Sequence, residues 1–144
     1  MRVLVLNGPN LGRLGRRQPE IYGTTTYDEL VTICEEWGRD LGLDVTVRQT
    51  NHEGELLDWL NQAADSATPV VLNAAAWTHY SYALADACAQ LEAPLVEVHL
   101  SDPAARPEEW RHTSVVTPHA AAVFAGHGAD SYRLALDHLA EQLP

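Results

Sequence analysis

"RVLVLN" (Arg2–Asn7) is a short, almost unbroken apolar run that ends in a polar residue, and its reading decides the fold. A strand solvated on one face would alternate, so this run suits a parallel strand covered on both faces. "PVVLNA" (69–74) and "PLVEVHL" (94–100) repeat the pattern and read as further central strands. "DVTVRQ" (44–49) alternates instead, as an edge strand does, and "AAVFAG" (121–126) is the fifth and weakest strand, assigned to the opposite edge.

Helical patterns fall between these runs. The first opens on the capping box Thr26–Glu29, carries Leu30, Ile33, Cys34, Trp37 and Leu41 as an apolar stripe, and stops at Gly42. The second carries Leu56, Leu57, Leu60 and Ala64; the third Leu84, Ala87, Cys88 and Leu91; the last Tyr132, Leu136, Leu139 and Leu143. Strand and helix therefore alternate throughout, which predicts an α/β fold: a doubly wound, five-stranded parallel sheet of flavodoxin-like order in a three-layer αβα sandwich. All 144 residues are expected to form one domain that buries roughly two-thirds of its unfolded surface.

Composition excludes several functions. With 20 acidic and 9 basic residues the net charge is -11, a poor match for nucleic acid. All nine basic residues are arginine, which excludes a Schiff-base lysine and a P-loop lysine. Cys34 and Cys88 have no CxxC partner and read as buried thiols, and the seven histidines show no HExxH spacing, so no metal and no cofactor is expected. No run approaches the ~20 apolar residues of a membrane span, and "MRVLVL" is too short for a secretory signal, so a cytoplasmic location is expected.

In a doubly wound sheet the ligand crevice lies beyond the carboxyl ends of the strands. Those ends are polar here: Asn7; Gln49, Thr50 and Asn51; Asn73; His99 and Ser101. Asn7 and Asn51 either line the crevice or simply close turns. His99 shares a strand face with Glu97, so a carboxylate can fix its tautomer and raise its basicity. His79 and Asp86, seven residues apart in the third helical pattern, are expected on one face of that helix.

"NGPNLGRLGRRQPEIYG" (7–23) follows the first strand and gathers Arg13, Arg16, Arg17 and Tyr22 on a loop that Gly12, Gly15 and Gly23 can let swing. With an ordinary pKa of about 10, a tyrosine acts as a base near neutrality only where cations stabilise its phenolate, and arginines supply that field.

Together with "RQTNHEGELLDWL", "VVLNAAAWTHYSYALADA" and "PLVEVHLS", this loop resembles the type II 3-dehydroquinate dehydratases, with the four blocks in that family's order from about Val3 to Leu143. The resemblance implies dehydration of 3-dehydroquinate to 3-dehydroshikimate in the shikimate pathway. By position, Tyr22 is the base that removes the C2 proton and Arg17 holds it as phenolate. Asn10 orients the water at the enolate oxygen, and His99 is the acid that protonates the leaving C1 hydroxyl. Asn73, the amides of Leu100 and Ser101 and the Ser101 hydroxyl match contacts to the substrate carboxylate and C1 hydroxyl. Arg111 and His79 match contacts to the ring hydroxyls. Asp86 matches a residue given to a neighbouring subunit's site, in a homododecamer of four trimers. The sequence departs from the family pattern at Trp77, Ala104, Pro107 and Ser131. A flavodoxin-like module that binds an anion without turnover is the alternative, and it has no use for a general acid.

Overall fold

The computed structural model describes residues 1–143. Five strands, β1 (Arg2–Asn7), β2 (Asp44–Gln49), β3 (Val70–Asn73), β4 (Leu95–His99) and β5 (Ala122–Ala125), form one sheet in the order β2-β1-β3-β4-β5. Every pairing is parallel, and the register sets Asn7 of β1 beside Gln49 on one side and Asn73 on the other. This is the flavodoxin-like order expected from the sequence, with β2 and β5 at the edges.

Side-chain alternation along the strands divides the core into two layers. Val3, Val5, Val71, Val96 and Val98 pack against helices α2 (Tyr27–Asp40) and α5 (Asp130–Gln142). Leu4, Leu6, Val70, Leu72 and Leu95 pack against α3 (Glu53–Ser66) and α4 (Tyr82–Ala89) on the other face. Both faces are covered, which is why the central strands read as unbroken apolar runs. Helix α2 starts as its sequence requires: Thr26 accepts the Glu29 amide at 3.1 Å, and the Glu29 carboxylate takes the Thr26 hydroxyl in return.

Several expectations need correction. In α2 the buried set is Leu30, Cys34 and Gly38, because Gly38 lets β2 approach so closely that a Cβ there would meet Val45 at 2.3 Å, while Leu41 is exposed beyond the helix end. In α3 Ala63, not Ala64, completes the buried stripe. Leu91 and Leu143 lie just past the ends of their helices. Strand and helix do not alternate throughout: the 22 residues from Leu100 to Ala121 connect β4 to β5 through three short 3₁₀ turns, Pro103–Ala105, Glu109–His112 and Thr117–His119, with no α-helix. Val116 in this crossover takes the place of a helix residue in the layer it shares with α3 and α4.

The third helical pattern is also broken. His79 ends a 3₁₀ turn (Ala75–His79), whereas Asp86 belongs to α4, which restarts after Ser81 caps its first turn by accepting the Leu84 amide at 3.1 Å. The two residues therefore do not share a helix face. Of the departures noted in the sequence, Trp77 is buried in the α3/α4 layer and Ser131 is fully buried, its hydroxyl oxygen accepting the His127 amide at 3.2 Å.

Candidate active site

Strand order reverses at β1 and β3, so the connections that leave their paired carboxyl ends run to helices on opposite faces of the sheet and open a crevice between them. The backbone is drawn tight there. A Cβ on Gly8 would lie 2.6 Å from the Ala74 carbonyl oxygen, so only glycine fits where the two exits pass. Asn10 and Ala75 hold positive φ values of 69° and 51°, and Gln18 on the loop above holds 36°; three of the four non-glycine residues in the left-handed region among the described residues thus stand around one crevice. Such strain persists where surrounding contacts enforce it, and it concentrates at functional sites.

A buried network ties the strand ends together. The Tyr132 hydroxyl, brought in from α5, donates to Asn7 Oδ1 at 2.6 Å and accepts from Asn73 Nδ2 at 2.9 Å, while Asn7 Nδ2 donates to the Arg48 carbonyl. Burial, partly offset by the Asn73 hydrogen bond, pushes the Tyr132 phenol above its ordinary value, so it stays protonated and can donate. Asn7 is therefore a structural residue, and so is Asn51, whose Oδ1 accepts the Asn10 amide at 2.9 Å and Gln49 Nε2 at 3.1 Å.

The cavity above this network has a volume of about 170 Å³, below the ~300 Å³ at which drug-sized pockets begin and too small for a dinucleotide. Nine of the ten site residues that the family resemblance implies line it: Asn10, Arg17, Tyr22, Asn73, His79, His99, Leu100, Ser101 and Arg111. Asp86 does not, and it is exposed.

The arginine-rich loop is folded over the cavity. Its 3₁₀ turn Leu11–Arg13 is anchored by Leu11 and Leu14, both buried in the α2/α5 layer, and it continues into the single-turn helix α1 (Pro19–Tyr22). Arg17 donates to the Tyr22 hydroxyl at 3.3 Å, with its guanidinium 4.3 Å from the ring centroid. Arg106, from the segment between β4 and β5, also lines the cavity and donates to the same hydroxyl at 3.1 Å. Among the described residues no carboxylate lies within 4.0 Å of either guanidinium, so the phenolic oxygen is their nearest partner of consequence.

Across the cavity, His99 Nε2 and Glu97 Oε2 are 2.6 Å apart, both side chains buried in the sheet. Burial pushes the Glu97 carboxyl up, but hydrogen bonds from His99, Thr117 and Ser114 outweigh it and hold the group below its ordinary value. An ionised carboxylate only accepts, so Nε2 carries the hydrogen and Nδ1 is left as the free ring nitrogen. His79 stacks on His99 at 6.4 Å between centroids and donates from Nδ1 to the Thr113 carbonyl at 2.7 Å. Burial holds His79 below its ordinary value despite that bond, so its imidazole stays neutral near pH 7. Arg111 sits at the rim, its Nε on Glu108 at 2.9 Å and its guanidinium over the Trp110 ring.

A lid tyrosine under two guanidiniums, facing a histidine paired with a strand carboxylate, sits on a flavodoxin-like sheet. Residues 1–140 match the sequence model of a family described as "Dehydroquinase class II". The chain belongs to the class II dehydroquinases. A 3-dehydroquinate dehydratase of Salinispora tropica is 66% identical over 140 residues, covering 97% of each chain. One of Mycobacterium tuberculosis is 56% identical over 141 residues, covering 98% of this chain and 95% of the relative. The solved type II dehydroquinase of Propionibacterium acnes superposes with a TM-score of 0.94 at 59% identity, over 97% of this chain and 96% of that one. The blocks quoted from the sequence thus point to the right family of class II dehydroquinases. What they leave out is the second guanidinium and the hydroxyls around Glu97, which reach the site from the irregular β4–β5 crossover.

Proposed function

We propose that this chain, a hydro-lyase of the class II dehydroquinase family acting on 3-dehydroquinate in the shikimate pathway, eliminates water through an enolate, with Tyr22 as the base and His99 as the acid. Arg17 and Arg106, both on the Tyr22 oxygen, stabilise a phenolate there. The phenolate takes the C2 proton, and the electron pair of that C–H bond moves onto the carbonyl as an enolate. Asn10 holds a water that donates to the enolate oxygen. The enolate then collapses to 3-dehydroshikimate, the C1–O bond breaks, and the departing hydroxyl takes a proton from His99 Nδ1 to leave as water. Glu97 supports the imidazolium that precedes this step by accepting its Nε2–H.

The remaining residues bind. Asn73 has its Oδ1 on the Ala75 amide and one Nδ2 hydrogen on Tyr132, which leaves one hydrogen for the substrate carboxylate beside the amides of Leu100 and Ser101 and the Ser101 hydroxyl. Arg111 and His79 take the ring hydroxyls. Asp86, exposed and outside its own cavity, serves a neighbour's cavity in a dodecamer of four trimers. The chemistry as written uses no cofactor.

The observation that carries this reading is the convergence of two guanidiniums, neither with a carboxylate partner among the described residues, on one phenolic oxygen in the cavity that His99 lines. An anion-binding module without turnover has no use for either the held phenol or the oriented imidazole. The test is the ultraviolet absorbance of the enone product. Wild-type protein mixed with 3-dehydroquinate develops it, and Tyr22→Phe, folded by circular dichroism, loses roughly 10² to 10⁴ in kcat. Near wild-type turnover in that variant removes the phenolate from the mechanism.

A further inference from the structure

Glu97 sits 2% exposed in the middle of β4 and accepts three hydrogen bonds. One comes from His99. The other two come from the helix-free crossover that follows: the Ser114 hydroxyl reaches Oε2 at 2.9 Å and the Thr117 hydroxyl reaches Oε1 at 2.5 Å. The Ser114 oxygen also accepts the amides of Val116 and Thr117, each at 3.1 Å. With those amides on its lone pairs, its one proton is committed to the carboxylate. Neither Ser114 nor Thr117 lines the cavity.

A carboxylate that already accepts two hydroxyl protons has less electron density to offer a third donor. We propose that Ser114 and Thr117 are positioning residues whose hydroxyls restrain the Glu97 carboxylate, so that it orients His99 without holding the proton His99 must release. The inference rests on the reading of His99 as the acid. It assigns a purpose to the irregular crossover: an α-helix would spend the Val116 and Thr117 amides internally, whereas here both bond the Ser114 oxygen and leave its proton for Glu97, and the Thr113 carbonyl is open to His79.

The charged and titratable groups facing the pair are identifiable. Glu97 lies on the strand of His99 itself, His79 stacks on the His99 ring, Cys88 of α4 approaches Glu97, and Tyr22, Arg17, Arg106 and Arg111 line the cavity opposite. His79 is kept neutral by burial, and burial also pushes the Cys88 thiol up to about 12, so neither adds charge near pH 7. None of these groups changes when Thr117 becomes Val, a substitution that keeps the side-chain shape at an otherwise exposed position.

The experiment is an NMR titration of the His99 imidazole in the full-length protein, run beside the kcat pH profile, for wild type, Thr117→Val, Thr117→Ser and Ser114→Ala. Loss of either hydroxyl frees the carboxylate to hold the imidazolium more tightly. The His99 midpoint then moves up by roughly half to one pH unit, and kcat falls on the order of tenfold with KM unchanged. Thr117→Ser restores both. A His99 midpoint that stays at the wild-type value in the folded Thr117→Val and Ser114→Ala proteins overturns the proposal, whatever happens to kcat. The acid role of His99 is tested separately: His99→Asn with wild-type turnover would end that reading, and the inference built on it, without any appeal to Thr117.

Discussion

At the scale of single residues, the chemistry is set by pairs that the backbone pattern brings together. Glu97 and His99 meet because side chains two apart on a strand share a face, and Arg17 and Tyr22 meet across one turn of the lid; both pairs are legible in the sequence. Arg106 reaches Tyr22 from 84 residues away, and Ser114 and Thr117 reach Glu97 from a segment with no apolar period, so no local pattern announces them. The state of Glu97 has a consequence for stability. Its folded-state value lies below the ordinary 4.5, so an unfolded chain binds the proton first as pH falls. The stabilisation is complete above that ordinary value and is lost as pH drops through the lower folded one. Denaturant titrations should therefore show the wild type losing more stability between pH 6 and pH 3 than Glu97→Gln does; equal losses would mean that the carboxylate is not held ionised.

At the scale of elements, the three central strands follow from apolar runs, because burial on both faces leaves its mark on composition, whereas the half-exposed edges are marked by alternation in β2 and only weakly in β5. Helix interiors are less exact. Gly38 and Ala63 are buried for reasons of close approach and rotation that a hydrophobic stripe does not encode. The break at Tyr80–Ser81 is invisible to periodicity, since His79 and Asp86 keep helical spacing across it, although Ser81 three residues before Leu84 is a capping signal. The crossing of the β1 and β3 exits depends on a missing side chain. Gly8→Ala places a methyl group 2.6 Å from a backbone oxygen that cannot swing aside. It is expected to cost roughly 1–3 kcal/mol, and thermal unfolding should register a fall of about 3–10 °C. An unchanged Tm would show that the two exits are not in close contact.

At the scale of the whole molecule, the contrast between a net charge of -11 and an arginine-lined cavity is the feature that the fold explains. Arg17, Arg106 and Arg111 come from two separate segments, and the sheet gathers them over its carboxyl edge, where an anionic substrate finds local positive charge on an acidic protein. Assembly belongs to the same scale. If Asp86 completes a neighbour's cavity, sedimentation should give twelve times the 15.8 kDa chain mass, and Asp86→Ala should lose activity although its own cavity is intact. A fully active monomer would rule that out. The account as a whole turns on where the lid tyrosine lies when substrate is bound. A crystal structure with 3-dehydroquinate or a close analogue should place the Tyr22 hydroxyl about 3–3.5 Å from the carbon that loses its proton, with His99 Nδ1 beside the leaving hydroxyl; a closed lid that holds that hydroxyl well beyond contact would contradict it.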